Sequence, residues 1–304
     1  MNENFIKNKR KRNHPKKDTC HFKQLLETHG NIYVYNFTNE NKHKLFINRL
    51  KEVRFIVDDE LFRKGRVNND IPEYESLPNE NFWHQRYYFF SKYDDGIKMD
   101  YESWYSVTPE EISEYIARNL KGKVIVDAFC GCGGNTIQFS LYGKHVYAVD
   151  INHNKIDLCK NNTRVYGCKN NIDFICSDFL KINDGIKADV VFLSPPWGGT
   201  EYKSEQSYSL KDWIEPNIYD IIKVSKKISK NLMFYLPRNT NIEELFSILS
   251  ELNTDEDETL FAEVKMLESA NKIKAILVCI GDEYNHVYIF NLDFYKRYYK
   301  VFDH

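Results

Sequence analysis

Two short stretches carry most of the residues that could act together on a substrate. The first is Val126-Asp127-Ala128-Phe129-Cys130-Gly131-Cys132-Gly133-Gly134-Asn135-Thr136. An apolar run leads into a glycine turn, and a helix-like run follows it. Glycines let a backbone approach a ligand closely and take up positive φ, and open α/β sheets bind ligands just beyond the carboxyl ends of their strands. The next apolar run, His145 to Ile151, carries Asp150 near its end. A carboxylate there suits the two hydroxyls of a ribose. NAD is the competing ligand, but its G-x-G-x-x-G turn seats a pyrophosphate on a helix N-terminus. Here Gly131, Gly133 and Gly134 follow Asp127 directly. That carboxylate would repel a pyrophosphate and attract the ammonium and sulfonium charges of S-adenosylmethionine. Asp178, after the third run, is placed to meet the adenine amine. Cys130 and Cys132 are too closely spaced for the usual zinc pattern, so they are read as small turn residues and no metal is expected.

The second stretch is Ser194-Pro195-Pro196-Trp197-Gly198-Gly199, at the end of a fourth apolar run. Two prolines cannot continue a central strand or enter a helix interior, so the backbone here is a stiff loop. The Ser194 hydroxyl and nearby carbonyls can accept hydrogen bonds from a planar NH₂ group, and the Trp197 ring can stack on the base that carries it. Such a loop aims an exocyclic amine at a methyl carbon, with proximity and orientation as the main source of rate. Adenine N6 and guanine N2 both remain open as the acceptor at this point. No His or Lys is placed as an evident general base beside Ser194, so the amine proton is expected to leave late, to water or a backbone-linked acceptor.

The elements that must position these residues alternate regularly from Thr108 onward. Thr108-Pro109-Glu110-Glu111 reads as a capped helix start, with Ile112, Ile116 and Leu120 as its stripe. Strands are expected at 124–129, 145–151, 172–176, 189–193 and 232–236, with helices at 135–142, 155–166, 217–229 and 242–252. Two last strands, 260–268 and 272–280, form a hairpin that makes the final strand antiparallel. This pattern predicts a doubly wound, mostly parallel, seven-stranded Rossmann-like α/β sheet. Residues 1–18 read as a disordered basic tail and 19–105 as a mostly helical extension contributing to the site, with helices over Cys20–His29 and Lys42–Val57. Residues 106–283 form the main domain and 284–304 a C-terminal tail. Seven cysteines without framework spacing and no signal-peptide pattern lead us to expect a reducing, intracellular compartment. No apolar run approaches the roughly 18 residues of a membrane span, so no membrane partner is expected. The net charge of −2 carries no message about nucleic acid. The cluster Lys7, Lys9, Arg10, Lys11, Arg12, Lys16 and Lys17 reads as a nuclear-localisation or RNA-contacting tail.

Between about Asn81 and Gly281 the chain resembles the trimethylguanosine synthase family. The matching stretches are Gln85-Arg86-Tyr87, Phe90-Ser91, Asp94 to Lys98, Ser106 to Glu110, Asp127 to Gly131, Gly133 to Phe139, Ser194 to Gly199 and Leu236 to Asn239. The resemblance implies a class I, S-adenosylmethionine-dependent enzyme that methylates N2 of a 7-methylguanosine RNA cap. It implies snRNA and snoRNA substrates, contact with snRNP proteins, a nuclear location and a monomer. It also implies that Phe90, Thr108, Asp127, Gly131, Asp150 and Asp178 line the donor pocket and that Ser194 and Pro196 hold the amine. Trp197 would then stack on the 7-methylguanine, with Tyr202, Arg238 and Asn239 facing its base or phosphates. A cationic purine over an indole gains on the order of 1–2 kcal/mol, which favours the methylated cap over plain guanosine. Two departures, Thr200 where relatives commonly have Pro and Asn81 where some have Lys, bear on affinity and on the completeness of methylation. Two other readings share part of this pattern: a methyltransferase for adenine N6 or internal guanine N2, and a non-catalytic RNA-binding protein on the same fold.

Overall fold

The computed structural model describes residues 33–36, 44–55, 80–182, 185–199, 201–252, 260–269 and 272–281. The expectations for segment 1–18, for Cys20–His29, for Thr200 and for 284–304 lie outside the described residues.

The strands are β1 (Tyr33–Asn36), β2 (Lys44–Phe55), β3 (Val124–Asp127), β4 (His145–Asp150), β5 (Ile172–Cys176), β6 (Val190–Leu193), β7 (Leu232–Pro237), β8 (Leu260–Ser269) and β9 (Lys272–Ile280). They form one nine-stranded sheet in the order β1-β2-β8-β9-β7-β6-β3-β4-β5. From β3 to β5 the chain moves outward in one direction, then returns to place β6 and β7 on the other side of β3. The switch point therefore lies between β3 and β6, whose pairing is parallel. β9 is antiparallel to both β7 and β8, as the hairpin pattern predicted.

The sheet does not stop at seven strands. β2 pairs in parallel with β8, and β1 pairs antiparallel with β2. The helix expected over Lys42–Val57 is thus a strand, and the extension is not mostly helical in this part. Ile47, Leu50 and Val53 fall at helical spacing in the sequence, but a register shift between Ile47 and Arg49 re-phases the strand. The edge of β8 offers a row of unpaired backbone groups, and pairing with it overrides a weak local preference. Among the described residues, the rest of this region holds the short helices α1 (Glu80–His84), α2 (Arg86–Phe89) and α3 (Ser103–Ser106).

The helices of the main domain are α4 (Glu110–Asn119), α5 (Gly134–Leu141), α6 (His153–Val165), α7 (Leu210–Trp213), α8 (Ile218–Ile228) and α9 (Ile242–Glu251). They cover both faces of the sheet, and this is why the central strands read as unbroken apolar runs. Val126, Val191 and Leu193 face the cluster built with Ile218, Ile222 and Phe246. Their neighbours Ile125, Val190 and Phe192 face the opposite cluster, with Ile112, Ile137 and Phe139. Phe139 meets Phe192 edge to face at 5.2 Å and 73°. That contact presses α5 onto β6 and so fixes the glycine turn that precedes α5. Phe192→Ala removes a fully buried ring and should cost about 3–5 kcal/mol. Side-chain caps start α6, α8 and α9: Asn152, Asn217 and Asn241 accept from the N–H groups of Asn154, Tyr219 and Glu244. Thr108, expected as the cap of α4, is used otherwise. The helix begins after Pro109 with no side-chain cap, and the Thr108 hydroxyl accepts from Asn135 Nδ2 at 3.0 Å.

Candidate active site

The carboxyl ends of β3, β4 and β6 open onto a cavity of about 340 Å³. Ligand sites of this kind usually hold about 300–1,000 Å³. Thr108, Gly131, Asp150, Asp178, Ser194, Pro196, Trp197 and Tyr202 all line it. The two motifs recognised separately in the sequence therefore share one chamber, because β3 and β6 are neighbours although 63 residues separate Asp127 from Val190.

The glycine turn forms the floor at one end. Gly133 has φ +98°, and a Cβ there would come within 2.9 Å of Cys159 Sγ, so the turn has room for no other residue. The Asp150 carboxylate accepts from Gly131 N–H at 3.0 Å and from Asn152 N–H at 2.8 Å. Burial raises its pKa and these two donors oppose the rise. Each oxygen keeps a further lone pair for a hydroxyl donor. Asp178 Oδ1 accepts from Leu180 N–H at 3.0 Å and so caps the short turn Phe179–Lys181. It is both a local cap and a wall of the cavity.

Asp127 stands one layer below the cavity surface, 1% exposed. Its Oδ2 accepts from Thr136 Oγ1 at 2.6 Å, and Oδ1 is buried without a well-formed hydrogen bond. Desolvation pushes its pKa up to about 7, the Asp150 charge adds to the rise, and hydrogen bonds from Thr136 and the Phe129 backbone oppose it. A carboxylate buried in this way is stabilised by a cation brought to the turn. Phe90 is also off the cavity surface. It is buried at the end of α2, 6.3 Å from the Tyr166 ring. Cys130 and Cys132 are buried thiols, with the Cys132 pKa raised to about 12 by desolvation. Among the described residues, no group of three or more His, Cys, Asp or Glu side chains is placed to hold a metal ion.

At the other end, the proline loop carries Trp197. Tyr235 from β7 lies beneath the indole at 5.4 Å with a 33° tilt, and Tyr202 meets it at 5.4 Å and 87°. The ring is half-buried and held before any ligand arrives. Gly198 turns the chain at φ +77°, and a Cβ there would meet Trp213 Cε3 at 2.7 Å. Ser194 Oγ donates to the Phe129 carbonyl at 3.4 Å, which leaves its lone pairs free to accept. Arg238 follows β7 and lies near Tyr202 and Lys203: burial raises the Tyr202 pKa against the Arg238 charge, whereas burial and that charge together lower the Lys203 pKa. The Nδ2 of Asn239 donates to the carbonyls of Tyr202 at 3.0 Å and Glu205 at 2.9 Å, and its Oδ1 is buried without a hydrogen-bond partner.

Several lining residues were not singled out in the sequence. Glu102, Tyr105, Asn135, Lys155 and Tyr235 all reach the cavity. Lys155 is buried, and its Nζ donates to Asp100 Oδ1 at 2.8 Å and Ser103 Oγ at 3.3 Å, with Glu102 Oε2 at 3.2 Å. Burial works against its charge, yet these acidic partners leave its pKa raised. Together with Asn162, which bonds both the N–H and the carbonyl of Lys98 at 2.8 and 2.9 Å, it straps segment 97–108 over the glycine turn. A single Lys or Asn in a helical stripe gives no signal of this in sequence. Only the crossing of α6 under the strap does.

The model of the family described as RNA cap guanine-N2 methyltransferase matches residues 122–283. The chain is similar to the trimethylguanosine synthase of Schizosaccharomyces pombe, 38% identical over 199 residues, covering 62% of this chain and 81% of that protein. It is also similar to the Saccharomyces cerevisiae trimethylguanosine synthase, 37% identical over 197 residues, covering 59% of this chain and 62% of that protein. Among solved structures, a Porphyromonas gingivalis W83 protein assigned as a methyltransferase superposes with a TM-score of 0.52 at 12% identity. It covers 75% of this chain and 59% of its own. That likeness bears on the fold alone.

Proposed function

This chain belongs to the RNA cap guanine-N2 methyltransferase family, and on that premise we propose how its cavity divides the labour of methylating the cap. The donor is S-adenosylmethionine, which supplies an electrophilic methyl carbon on a sulfonium. The residues present fit it: the buried Asp127 carboxylate under the glycine turn for positive charge, Asp150 for the ribose hydroxyls, and Asp178 for the adenine amine. Thr108 and the strap through Glu102 and Tyr105 close that end against water.

The acceptor purine lies on the Trp197 indole. Its exocyclic N2 is held by Ser194, whose own hydrogen is turned towards the Phe129 carbonyl so that the oxygen can accept from the amine. Pro196 forms the rigid wall that stops the amine from swinging away. Among the described residues, Lys155 is the one lysine or histidine that lines the cavity, and it is tied to acids near the glycine turn. The amine proton accordingly leaves to water, and the rate comes from alignment. The observation that carries this reading is the pre-positioned Trp197, set between Tyr235 and Tyr202 in the same chamber as Asp150. An N7-methylated guanine is cationic, and a desolvated cation over an indole gains about 1–2 kcal/mol. We further propose that m7G-capped snRNA and snoRNA are the substrates, that two methyls are added in succession, and that the protein acts as a monomer in the nucleus, in contact with snRNP proteins.

The test is incubation with S-adenosylmethionine and m7GTP, GTP or an uncapped adenine-containing RNA, followed by mass spectrometry. We expect one and then two added methyls on m7GTP and none on the others. Methylation of the uncapped RNA with m7GTP unchanged would favour the adenine or internal-guanine alternative.

A further inference from the structure

Trp197 and Ser194 can serve a cationic adenine as well as a guanine, so neither tells the two bases apart. In both bases the amine flanks a ring nitrogen, N1. In guanine N1 carries a hydrogen; in adenine it is a bare lone pair. A side chain that reads this difference must accept and be unable to donate, as an ionised carboxylate is. Among the described residues, the carboxylates lining the cavity are those of Glu102, Asp150, Asp178 and Glu215. The first three are engaged: Glu102 with Lys155, Asp150 with two backbone N–H groups, and Asp178 with Leu180 N–H and, at 3.4 Å, Lys181 Nζ. Glu215 is exposed and makes no hydrogen bond or ion pair with another described residue. Its place is fixed from both sides, in the link between α7 and α8. Before it, Trp213 backs the turn that follows Trp197, since a Cβ on Gly198 would come within 2.7 Å of Trp213 Cε3. Trp213 stacks on Tyr208 at 6.2 Å and 27°, and Ile214 is buried. After it, Pro216 lines the cavity, and Asn217 caps α8 by accepting from Tyr219 N–H at 2.9 Å. The link thus brings Glu215 to the chamber beside the loop that carries the indole.

We infer that the Glu215 carboxylate accepts the N1–H of the guanine stacked on Trp197 and so selects guanine over adenine. The inference rests on the reading of Trp197 and Ser194 as the acceptor end of the cavity and adds a residue to it. N1 and N2 are bonded to the same ring carbon, so holding N1–H also sets the angle at which N2 faces the donor. An adenine in the same place would set its N1 lone pair against the carboxylate. A site built around one hydrogen bond rejects the analogue that cannot make it, because its own polar group is then left unpaired. Glu215 is therefore a binding and specificity residue.

The test measures calorimetric dissociation constants for the full chain, Glu215→Ala and Glu215→Gln, with S-adenosylhomocysteine bound so that no methyl is transferred. Three cationic purine nucleotides are compared. m7GTP has N1–H and the amine, 7-methyl-ITP has N1–H without the amine, and 7-methyl-ATP has a lone pair at N1. We expect Glu215→Ala to weaken m7GTP and 7-methyl-ITP alike by about 10- to 100-fold, the range of one hydrogen bond to a charged acceptor, and to change 7-methyl-ATP less than about threefold. Glu215→Gln can donate as well as accept, so it should bind 7-methyl-ATP more tightly than wild type does. Unchanged S-adenosylhomocysteine affinity reports that each variant is folded. Equal losses for all three nucleotides in Glu215→Ala, or no loss for any, overturn the inference. So does a loss confined to m7GTP, which points to the amine instead of N1–H. A fall in S-adenosylhomocysteine affinity with m7GTP unchanged also overturns it, since that places Glu215 on the donor. A wild-type chain that binds none of the three nucleotides overturns the acceptor-site reading itself and, with it, this inference.

Discussion

Replacing Trp197 by alanine is the perturbation whose size can be worked most fully from the structure. The indole is held by Tyr235 at 5.4 Å and 33° and by Tyr202 at 5.4 Å and 87°, so a purine that stacks on it loses little freedom of the protein. Base stacking on an aromatic side chain contributes about 1–3 kcal/mol by alanine substitution, and the positive charge of an N7-methylated ring adds about 1–2 kcal/mol. The two together give about 2–5 kcal/mol, or roughly 30- to 5,000-fold in kcat/KM for m7GTP. The charge contribution alone sets the preference for m7GTP over GTP, so that ratio should fall about 5- to 30-fold. Trp197→Phe should keep part of both. The assay is steady-state methylation of m7GTP and GTP, with S-adenosylhomocysteine affinity measured in parallel. Trp197 packs against both core clusters, and unchanged donor affinity shows that the fold has survived the loss. A Trp197→Ala enzyme that keeps the wild-type m7GTP to GTP ratio refutes the stacking argument.

The other expectations come from the floor and the walls. Asp127 has a folded pKa of about 7, well above the unfolded carboxylate value of about 3.9. The donor-free chain therefore loses stability as pH rises from about 4 through 7 and levels off above. Asp127→Asn should have a higher Tm than wild type at pH 8, and the gap should shrink towards pH 5. A gap that grows on acidification contradicts the assignment. In wild type the affinity for a cationic donor should rise from pH 6 to pH 8 as Asp127 ionises, which calorimetry can follow; a flat profile removes that role. Gly198→Ala forces a side chain into φ +77° and within 2.7 Å of Trp213. The local strain of about 1–2 kcal/mol tilts the loop and should raise KM for the cap about 5- to 30-fold, and S-adenosylhomocysteine binding should be unaffected. Lys155→Ala cuts the strap from α6. Asp100 and Glu102 are 37% and 50% exposed, so the loss of stability should stay near 1–2 kcal/mol. Limited proteolysis should open first within 97–108, and cleavage elsewhere would count against the strap.

Those parts of the molecule that obey one local rule could be read from the chain directly. Val124–Val126 and Val190–Leu193 are unbroken apolar runs because helices cover both faces of β3 and β6. The glycine turn and the proline loop follow them at once, so the chamber between the two strands was legible with its lining residues Asp150, Ser194 and Trp197. Where two rules compete, the sequence is silent or misleading. Ile47, Leu50 and Val53 keep helical spacing, yet the segment pairs with β8 across more than 200 residues of chain. Thr108 looks like a helix cap, yet Asn135 captures its hydroxyl. Asn239 reads as a ligand contact, and its Nδ2 is used on the carbonyls of Tyr202 and Glu205 while its Oδ1 is left without a hydrogen-bond partner. Lys155, Asn135 and Tyr235 belong to the cavity only because helices and strands distant in sequence cross there.

Co-crystallisation with m7GTP and S-adenosylhomocysteine tests the central geometry most directly. The account predicts the 7-methylguanine ring parallel to the Trp197 indole, its N2 within hydrogen-bond distance of Ser194 Oγ and facing the sulfur, and the ribose hydroxyls on Asp150. A purine seated away from Trp197, or an adenosyl group bound outside the turn formed by Gly131 to Gly134, would contradict it.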